Sequence, residues 1–217
     1  MIKKILKGFS AGFLIGIAGA MFILAKAKNY NFLPSLVFPV GLYLICVFGL
    51  DLYTGKIGFG LDKEKALKIT DYIIMLISNA AGAMLFGVIF NFIFGKDATA
   101  IAVVRSVAAA KFGELSFGFI ISVLIKSVLC GFFVYIAVYL FGRAEGAAGK
   151  VLAVWIPIAA FVFLGLEHSI ANMFYFAAGA ADALNGIVLI LIAVIGNSVG
   201  AIALDSAIRF MIAPDKK

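Results

Sequence analysis

Four ionisable side chains lie inside long apolar stretches of this sequence: Asp51, Lys126, Glu167 and His168. On insertion scales, a charged group at the centre of a membrane-spanning helix costs at least about 2.5–3.5 kcal/mol, so each is a functional candidate. His168 is the single histidine of the chain, and imidazole can give or take a proton near neutral pH. These residues therefore indicate movement of charge or protons through an apolar environment.

The two acids also have a structural interpretation. Asp51 and Glu167 each follow a glycine in an interrupted apolar stretch, where a carboxylate could cap the freed N–H groups of the next half-helix. The two interpretations are compatible, because an acid that caps a break also shapes the path beside it. For His168, burial would favour the neutral form and a close Glu167 carboxylate the charged form, and the sequence leaves that balance open.

Two lysines, Lys111 and Lys126, lie in different sequence contexts. Lys126 lies near the middle of the otherwise uncharged stretch 115–142. Because it could not easily reach an interface from there, we expect it to face a pore, a subunit contact or a carboxylate. Lys111 lies in the loop before that stretch or at its start, where a solvated loop lysine is the simpler interpretation.

The composition determines the solvent in which these residues act. The chain has 217 residues, of which 65% are hydrophobic and 13% charged, and its mean hydropathy is +1.16. A soluble domain averages roughly 45–50% apolar and about 25% charged residues, so soluble, disordered and disulfide-scaffold classes are excluded. The net charge of +7 lies in short clusters between apolar runs. This pattern is typical of membrane loops rather than of nucleic-acid binding.

Six stretches are long enough to cross a bilayer as helices, and they lie near residues 8–25, 31–55, 72–95, 115–141, 151–179 and 183–212. The second and fifth contain proline, glycine and an acid, which predicts broken helices. The first stretch imitates a signal peptide, and we interpret it as a retained helix. One side collects twelve Lys and Arg residues and the other five, so we expect both termini to be cytoplasmic.

The chain repeats itself in two places. The string GLDLYT at 49–54 reappears as GLEHSI at 165–170, an offset of 116, and NAAGA at 79–83 reappears as NSVGA at 197–201, an offset of 118. Because each repeat (about 1–95 and about 115–212) has three spans, an odd number, the halves must face opposite ways. Inverted repeats with broken helices in matching positions indicate a transport site near the midplane.

At these motifs the sequence resembles the formate–nitrite transporter family, bacterial channels for small monovalent anions of weak acids. The string GLEHSIANM at 165–173 is similar to the family's signature on the fifth span. The strings FPVGL at 38–42 and GLDLYTG at 49–55 are similar to its second span and following loop. The resemblance implies an aquaporin-like, all-α fold of six transmembrane helices, assembled as a homopentamer in the bacterial cell membrane with one pore per protomer.

The resemblance also implies site residues. Apolar constrictions would come from Phe38, Leu42, Leu52 and Phe161, with Thr54 and His168 as the polar residues between them. Together with the intramembrane acids and the signature asparagine, the polar path then comprises a short set of residues: Asp51, Thr54, Glu167, His168 and Asn172.

For the family's anion-attracting vestibule lysine the candidates are Lys111 and Lys126. Register places Gly131 where many members have a pore asparagine, which makes hydrosulfide as credible a substrate as formate or nitrite. No cofactor, metal or nucleic-acid partner is expected.

The leading hypothesis is a channel or transporter for small monovalent anions, in which His168 holds a positive charge near the anion or hands it a proton. A pore for neutral solutes such as water or glycerol is the alternative. A remote third hypothesis is an intramembrane hydrolase that uses Ser169 with His168. Adjacent residues on one helix point in different directions, however, and the sequence offers no separate orienting acid.

Overall fold

A computed structural model describes residues 1–212 of the chain. Lys216 and Lys217, two of the twelve Lys and Arg residues assigned to the cytoplasmic side, lie outside the described residues. The described part is built from helices: α1 (Ile2–Ala27), α2 (Leu33–Val37), α3 (Pro39–Phe48), α4 (Tyr53–Lys56), a 3₁₀ helix (Ile57–Leu61), α5 (Ile69–Phe94), α6 (Ala98–Lys111), α7 (Phe117–Phe141), α8 (Gly146–Phe163), α9 (Ser169–Gly179) and α10 (Ala183–Ile212).

The predicted membrane-spanning architecture is confirmed. Within the described residues, α1, α5, α7, α8 and α10 are each long and apolar enough to cross a bilayer. A bent pair, Leu33–Phe48 with Tyr53–Leu61, supplies the sixth crossing and turns by 65° at its break. The fifth apolar stretch is interrupted between α8 and α9. Pro157 lies inside α8 without ending it, so the break follows the glycine rather than the proline.

Both breaks begin with a glycine in the left-handed conformation. Gly49 has φ +60° and Gly165 has φ +64°, values that residues with a Cβ rarely adopt. The two positions are 116 residues apart, the offset of the sequence repeat. The chain therefore leaves the first half of each broken helix in the same way.

The two halves also pack alike. A methyl group added at Gly12 of α1 would overlap the Asn79 carbonyl oxygen of α5, and one added at Gly131 of α7 would overlap the Asn197 carbonyl oxygen of α10. Small residues at such crossings let backbones approach closely in lipid. Gly131 is therefore a helix-packing position. The expectation that it lies in a pore is wrong, since no larger side chain fits against that carbonyl.

Helix α6 lies in a segment that was expected to be a loop. The Asp97 side chain caps it by accepting a hydrogen bond of 3.0 Å from the Ala100 N–H, and α6 packs against α9 and α1. Lys111 is its last residue. The second broken span thus has a covering helix that brings a lysine to its side.

Both ends of the described chain lie on one side of the bundle, here called the terminal face. Lys4 forms an ion pair of 2.7 Å with Asp71, and Arg209 donates a hydrogen bond of 3.2 Å to the Leu61 carbonyl. Leu61 and Asp71 flank the same connection before α5. The side on which α1 ends is called the opposite face.

The glycine crossings yield a stability prediction. We expect Gly131→Ala to lower the free energy of unfolding by about 1–3 kcal/mol, because its methyl group would displace the α10 backbone. Thermal denaturation of the purified protein in detergent measures the loss. The matched control is Gly118→Ala on the same helix, where an added methyl group meets no described atom within 4 Å. Equal melting temperatures for the two variants would contradict the packing role of Gly131.

Candidate functional site

The first helix break is closed by one buried amide. The Asn79 Oδ1 atom on α5 accepts a hydrogen bond of 2.8 Å from the Tyr53 N–H, the first N–H of α4. Its Nδ2 atom donates to the carbonyls of Gly8, at 2.7 Å, and Asp51, at 2.9 Å. A single side chain therefore satisfies a freed donor and a freed acceptor of the break and ties both to α1.

The second break is closed in the same way. The Asn197 Oδ1 atom on α10 accepts a hydrogen bond of 2.9 Å from the Ser169 N–H, the first N–H of α9. Its Nδ2 atom donates to the carbonyls of Ser127 and Glu167, both at 2.8 Å. The two asparagines are the first residues of the repeated N-x-x-G-A strings, so the sequence repeat marks a repeated clamp.

The expectation that the acids cap the half-helices is therefore wrong. The N-cap residue of α4, Leu52, makes no side-chain cap bond, and α9 is capped by His168. Asp51 and Glu167 offer their backbone carbonyls to the clamps, while their carboxylates are used elsewhere. An asparagine amide can both donate and accept, so it satisfies both kinds of freed backbone group where an ionised carboxylate could only accept.

His168 is held by hydrogen bonds at both ring nitrogens. Nδ1 accepts a bond of 3.1 Å from the Ala171 N–H, and Nε2 lies 2.9 Å from the Thr54 Oγ1 atom of the other broken helix. Because an amide N–H can only donate, Nδ1 carries no proton and the neutral ring has its hydrogen on Nε2. A doubly protonated ring would place two donors against each other. This geometry therefore holds His168 neutral, as a donor.

The Glu167 carboxylate is committed to other groups. Its Oε2 atom accepts hydrogen bonds of 2.8 Å from the Lys111 Nζ atom and from the Asn172 Nδ2 atom. The Lys111 side chain is 16% exposed and that of Glu167 is 7% exposed, so this ion pair is largely desolvated. The carboxylate compensates Lys111, and the hydrogen bonds of His168 go instead to Thr54 and Ala171.

A small cavity of about 70 Å³, here called the histidine chamber, lies on one side of the His168–Thr54 pair. Its lining includes Phe38, Phe161, His168, Lys111, Asn172 and Tyr175. The Phe38 and Phe161 rings meet edge to face with centroids 5.7 Å apart, and Phe161 stacks on the His168 ring at 5.9 Å. Two aromatic rings thus lie beside the imidazole.

A second cavity of about 210 Å³, here called the terminal vestibule, lies on the terminal face. Leu42 and Leu52 line it together with Cys46 and Lys56. Both leucines are buried. Thr54 and His168 are at most 3% exposed. The aromatic pair lines the histidine chamber together with His168, and the leucine pair lines the terminal vestibule together with Gly55, the residue after Thr54.

Two of the predicted site residues lie elsewhere. Asp51 lines a different cavity of about 360 Å³ on the terminal face, with Lys4, Lys56 and Asp71. Lys126 is exposed on the outer surface of α7 and lines none of the cavities described here.

The serine of the hydrolase hypothesis is not paired with His168. The Ser169 Oγ atom is buried and, among the described residues, has no hydrogen-bond partner.

Sequence reasoning missed three contributors to this site. Asn79 and Asn197 were recognised as parts of a repeat but not as clamps. Tyr175, which lines the histidine chamber, was not singled out. Its signal was available: positions 168, 171, 172 and 175 follow the i, i+3, i+4, i+7 spacing of one helix face.

Comparison with known proteins agrees with this architecture. A profile of the formate/nitrite transporter family matches residues 1–211. The chain is 35% identical over 200 residues to the "uncharacterized transporter YrhG" of Bacillus subtilis, covering 85% of this chain and 74% of that one. It is 31% identical over 204 residues to a "probable formate transporter" of Methanothermobacter thermautotrophicus, covering 82% and 74% respectively.

The fold is also that of a solved structure described as a pentameric formate channel with formate bound. The two chains superpose with a TM-score of 0.81 at 22% sequence identity, over 97% of this chain and 96% of the other. Together with the profile match over nearly the whole length, these similarities show that the chain belongs to the formate/nitrite transporter family.

Proposed function

We propose that this protein is a membrane channel or transporter for small monovalent anions of weak acids, with formate, nitrite and hydrosulfide as candidate substrates. The observation that carries the proposal is the His168–Thr54 hydrogen bond of 2.9 Å, which joins the two broken helices next to apolar side-chain pairs in two cavities. A family of formate/nitrite transporters and a related formate channel support that substrate class.

The apolar pairs set the main constraint on permeation. An ion with its charge intact would lose its hydration between Phe38 and Phe161 and again between Leu42 and Leu52, and desolvation of an unpaired ion is costly. An anion that takes up a proton crosses as a nearly neutral species and avoids most of this cost. The path therefore favours the anions of weak acids, because these can take up a proton where the anion of a strong acid cannot.

Lys111 attracts the anion into the histidine chamber. Its ammonium group has three donors, one of which is committed to Glu167, and its Nζ atom lies 5.7 Å from the centroid of the Tyr175 ring. Asn172 holds the carboxylate from the other side. Glu167 and Asn172 thus position the lysine and keep its charge partly compensated, so that the anion is attracted without being trapped.

His168 gives up the hydrogen bond from its Nε2–H group to Thr54 and donates a hydrogen bond from the same group to the passing solute. Since its Nδ1 atom is occupied by the Ala171 N–H, the ring does not carry the transferred proton. That proton comes from a water molecule on the side from which the anion enters, and the hydroxide that is left returns to the same solution. This differs from the sequence-based hypothesis of a positively charged or proton-donating histidine. Asp51 has a structural role at the first break.

In this proposal the protein spans the cell membrane of a bacterium with its terminal face towards the cytoplasm, in agreement with the lysine and arginine count. It assembles as a homopentamer, a proposal supported by its structural similarity to the pentameric formate channel. It acts as a transporter and not as a hydrolase, because within residues 1–212 the Ser169 Oγ atom makes no hydrogen bond to His168, whose ring nitrogens contact Ala171 and Thr54 instead.

Substitutions at His168 test the role of the ring. We expect His168→Phe to reduce formate flux at least tenfold, because it removes a buried donor and a helix cap, together worth more than about 1.4 kcal/mol. We expect His168→Asn, which keeps a cap and a donor, to retain measurable flux with the pH dependence of the wild type. Flux into proteoliposomes at two pH values measures both. If the flux of His168→Asn no longer depended on pH while that of the wild type did, the imidazole itself would transfer the proton.

The alternative solute class has its own test in the same vesicles. Proteoliposomes with the wild-type protein should swell in formate and should shrink in glycerol without recovery. Rapid volume recovery in glycerol would favour the neutral-solute pore.

The two candidate lysines can be separated experimentally. We expect Lys111→Met to reduce anion flux and to destabilise the protein by about 3 kcal/mol, because it leaves the Glu167 carboxylate unpaired and desolvated. Adding Glu167→Gln should restore the melting temperature but not the flux. The matched control is Lys126→Met, on the outer surface of α7, which should keep at least half of the flux. Loss of flux in Lys126→Met with normal flux in Lys111→Met would reverse the assignment.

A further inference from the structure

A fourth cavity, on the opposite face, lies next to the histidine chamber. This cavity of about 410 Å³, here called the loop funnel, lies where α1 ends, and its lining includes Phe22, Lys26, Asn29, Asn31, Ser35 and Val162. Phe22 and Val162 also line the histidine chamber. The two cavities therefore adjoin at these two apolar side chains.

The loop funnel has a positive charge without a compensating acid. Lys26 forms no ion pair within residues 1–212, and the described lining contains no aspartate or glutamate. Lys111, by contrast, is paired with Glu167 at 2.8 Å. An anion approaching this face therefore meets an uncompensated ammonium group before it meets a compensated one.

Aromatic rings connect the two lysines. The Lys26 Nζ atom lies 5.9 Å from the centroid of the Phe22 ring, and the Lys111 Nζ atom lies 5.7 Å from that of Tyr175. The Phe22 and Tyr175 rings meet edge to face at 6.1 Å. Phe22 thus touches a cation on the funnel side and the aromatic wall of the histidine chamber on the other.

We propose that Lys26 attracts the anion into the loop funnel and that Phe22 and Val162 form an additional, outermost apolar constriction. The anion passes through this constriction to Lys111. The substrate class is that of the proposed function, on which this inference rests. Lys26 raises the local concentration of the anion. The anion accepts hydrogen bonds from polar side chains of the funnel, namely Asn29, Asn31 and Ser35. Lys111 is then the second cation of the path rather than its first.

The role of the Lys26 charge is tested by isotope exchange in proteoliposomes with equal formate concentrations on both sides of the membrane. Such exchange does not depend on how the protein is oriented in the vesicle. At about 0.01 M ionic strength, where the Debye length is about 30 Å, we expect Lys26→Gln to lower the exchange rate about three- to fivefold. At about 1 M salt, where the Debye length is about 3 Å, the difference should disappear. Lys26→Arg should behave as the wild type.

The matched control is Lys28→Gln, two residues away and exposed but outside the lining of the loop funnel. It should lower the formate exchange rate less than Lys26→Gln does at low salt, because its charge acts from outside the loop funnel, and it should match the wild type at about 1 M salt. Equal rates for Lys26→Gln and Lys28→Gln at low salt, whether normal or reduced, would overturn the role of Lys26. Absence of exchange in the wild type would instead contradict the proposed function itself.

The outermost constriction is tested by the size selectivity of anion permeation. Phe22→Ala should raise the permeability to acetate and lactate relative to formate at least threefold, because the side chain that narrows the passage is removed. Phe22→Leu, which keeps an apolar side chain, should change the ratio less and guards against a folding defect in the alanine variant. An unchanged permeability ratio in a folded Phe22→Ala protein would contradict a constriction at Phe22.

Discussion

The architecture depends on satisfying backbone groups that two helix breaks expose at membrane depth. Lipid offers no hydrogen bonds, so each freed N–H or C=O group must find a partner inside the protein. Asn79 and Asn197 supply these partners, each accepting from one backbone N–H and donating to two carbonyls. Because each amide also binds a helix of its own half, the break, the helix crossing and the position of the following half-helix are set together.

The clamps leave other polar side chains near the breaks free to contact one another. With the backbone satisfied by asparagines, the Glu167 carboxylate is available to Lys111 and Asn172. The first turn of α9 is capped by His168, and this cap decides the tautomer of the ring that faces Thr54. A second proton on the ring would lie on Nδ1 and would place a donor against the Ala171 N–H group, so this cap favours the neutral imidazole. In the function proposed above, the histidine donates one hydrogen bond to the solute, and the acidity of the solution determines how much of the weak acid carries a proton.

Sequence patterns predicted the large features because those follow from composition and period. Long apolar stretches must cross a bilayer, and the glycines at 49 and 165 end helices in a conformation that other residues disfavour. The errors concern side-chain direction. Capping by Asp51 and a pore position for Gly131 each required knowing which neighbour a side chain meets. The choice for Lys126 between a pore, a subunit contact and a carboxylate required the same knowledge. Helix α6 was missed because a short helix of moderate hydropathy has no membrane-length signal, although Asp97 marks its start.

The sequence by itself determined that lipid is the solvent, that the chain has six crossings in two inverted halves, and that His168 lies at a helix break. Tertiary structure decided the partners. It brought Lys111 from a separate helix to Glu167, joined Thr54 to His168 across 114 residues, and placed Lys126 on the outside. Helical period and apolar composition are local properties that a linear string records. A hydrogen bond between two broken helices depends on how those helices cross, and only the packed backbone contains that information.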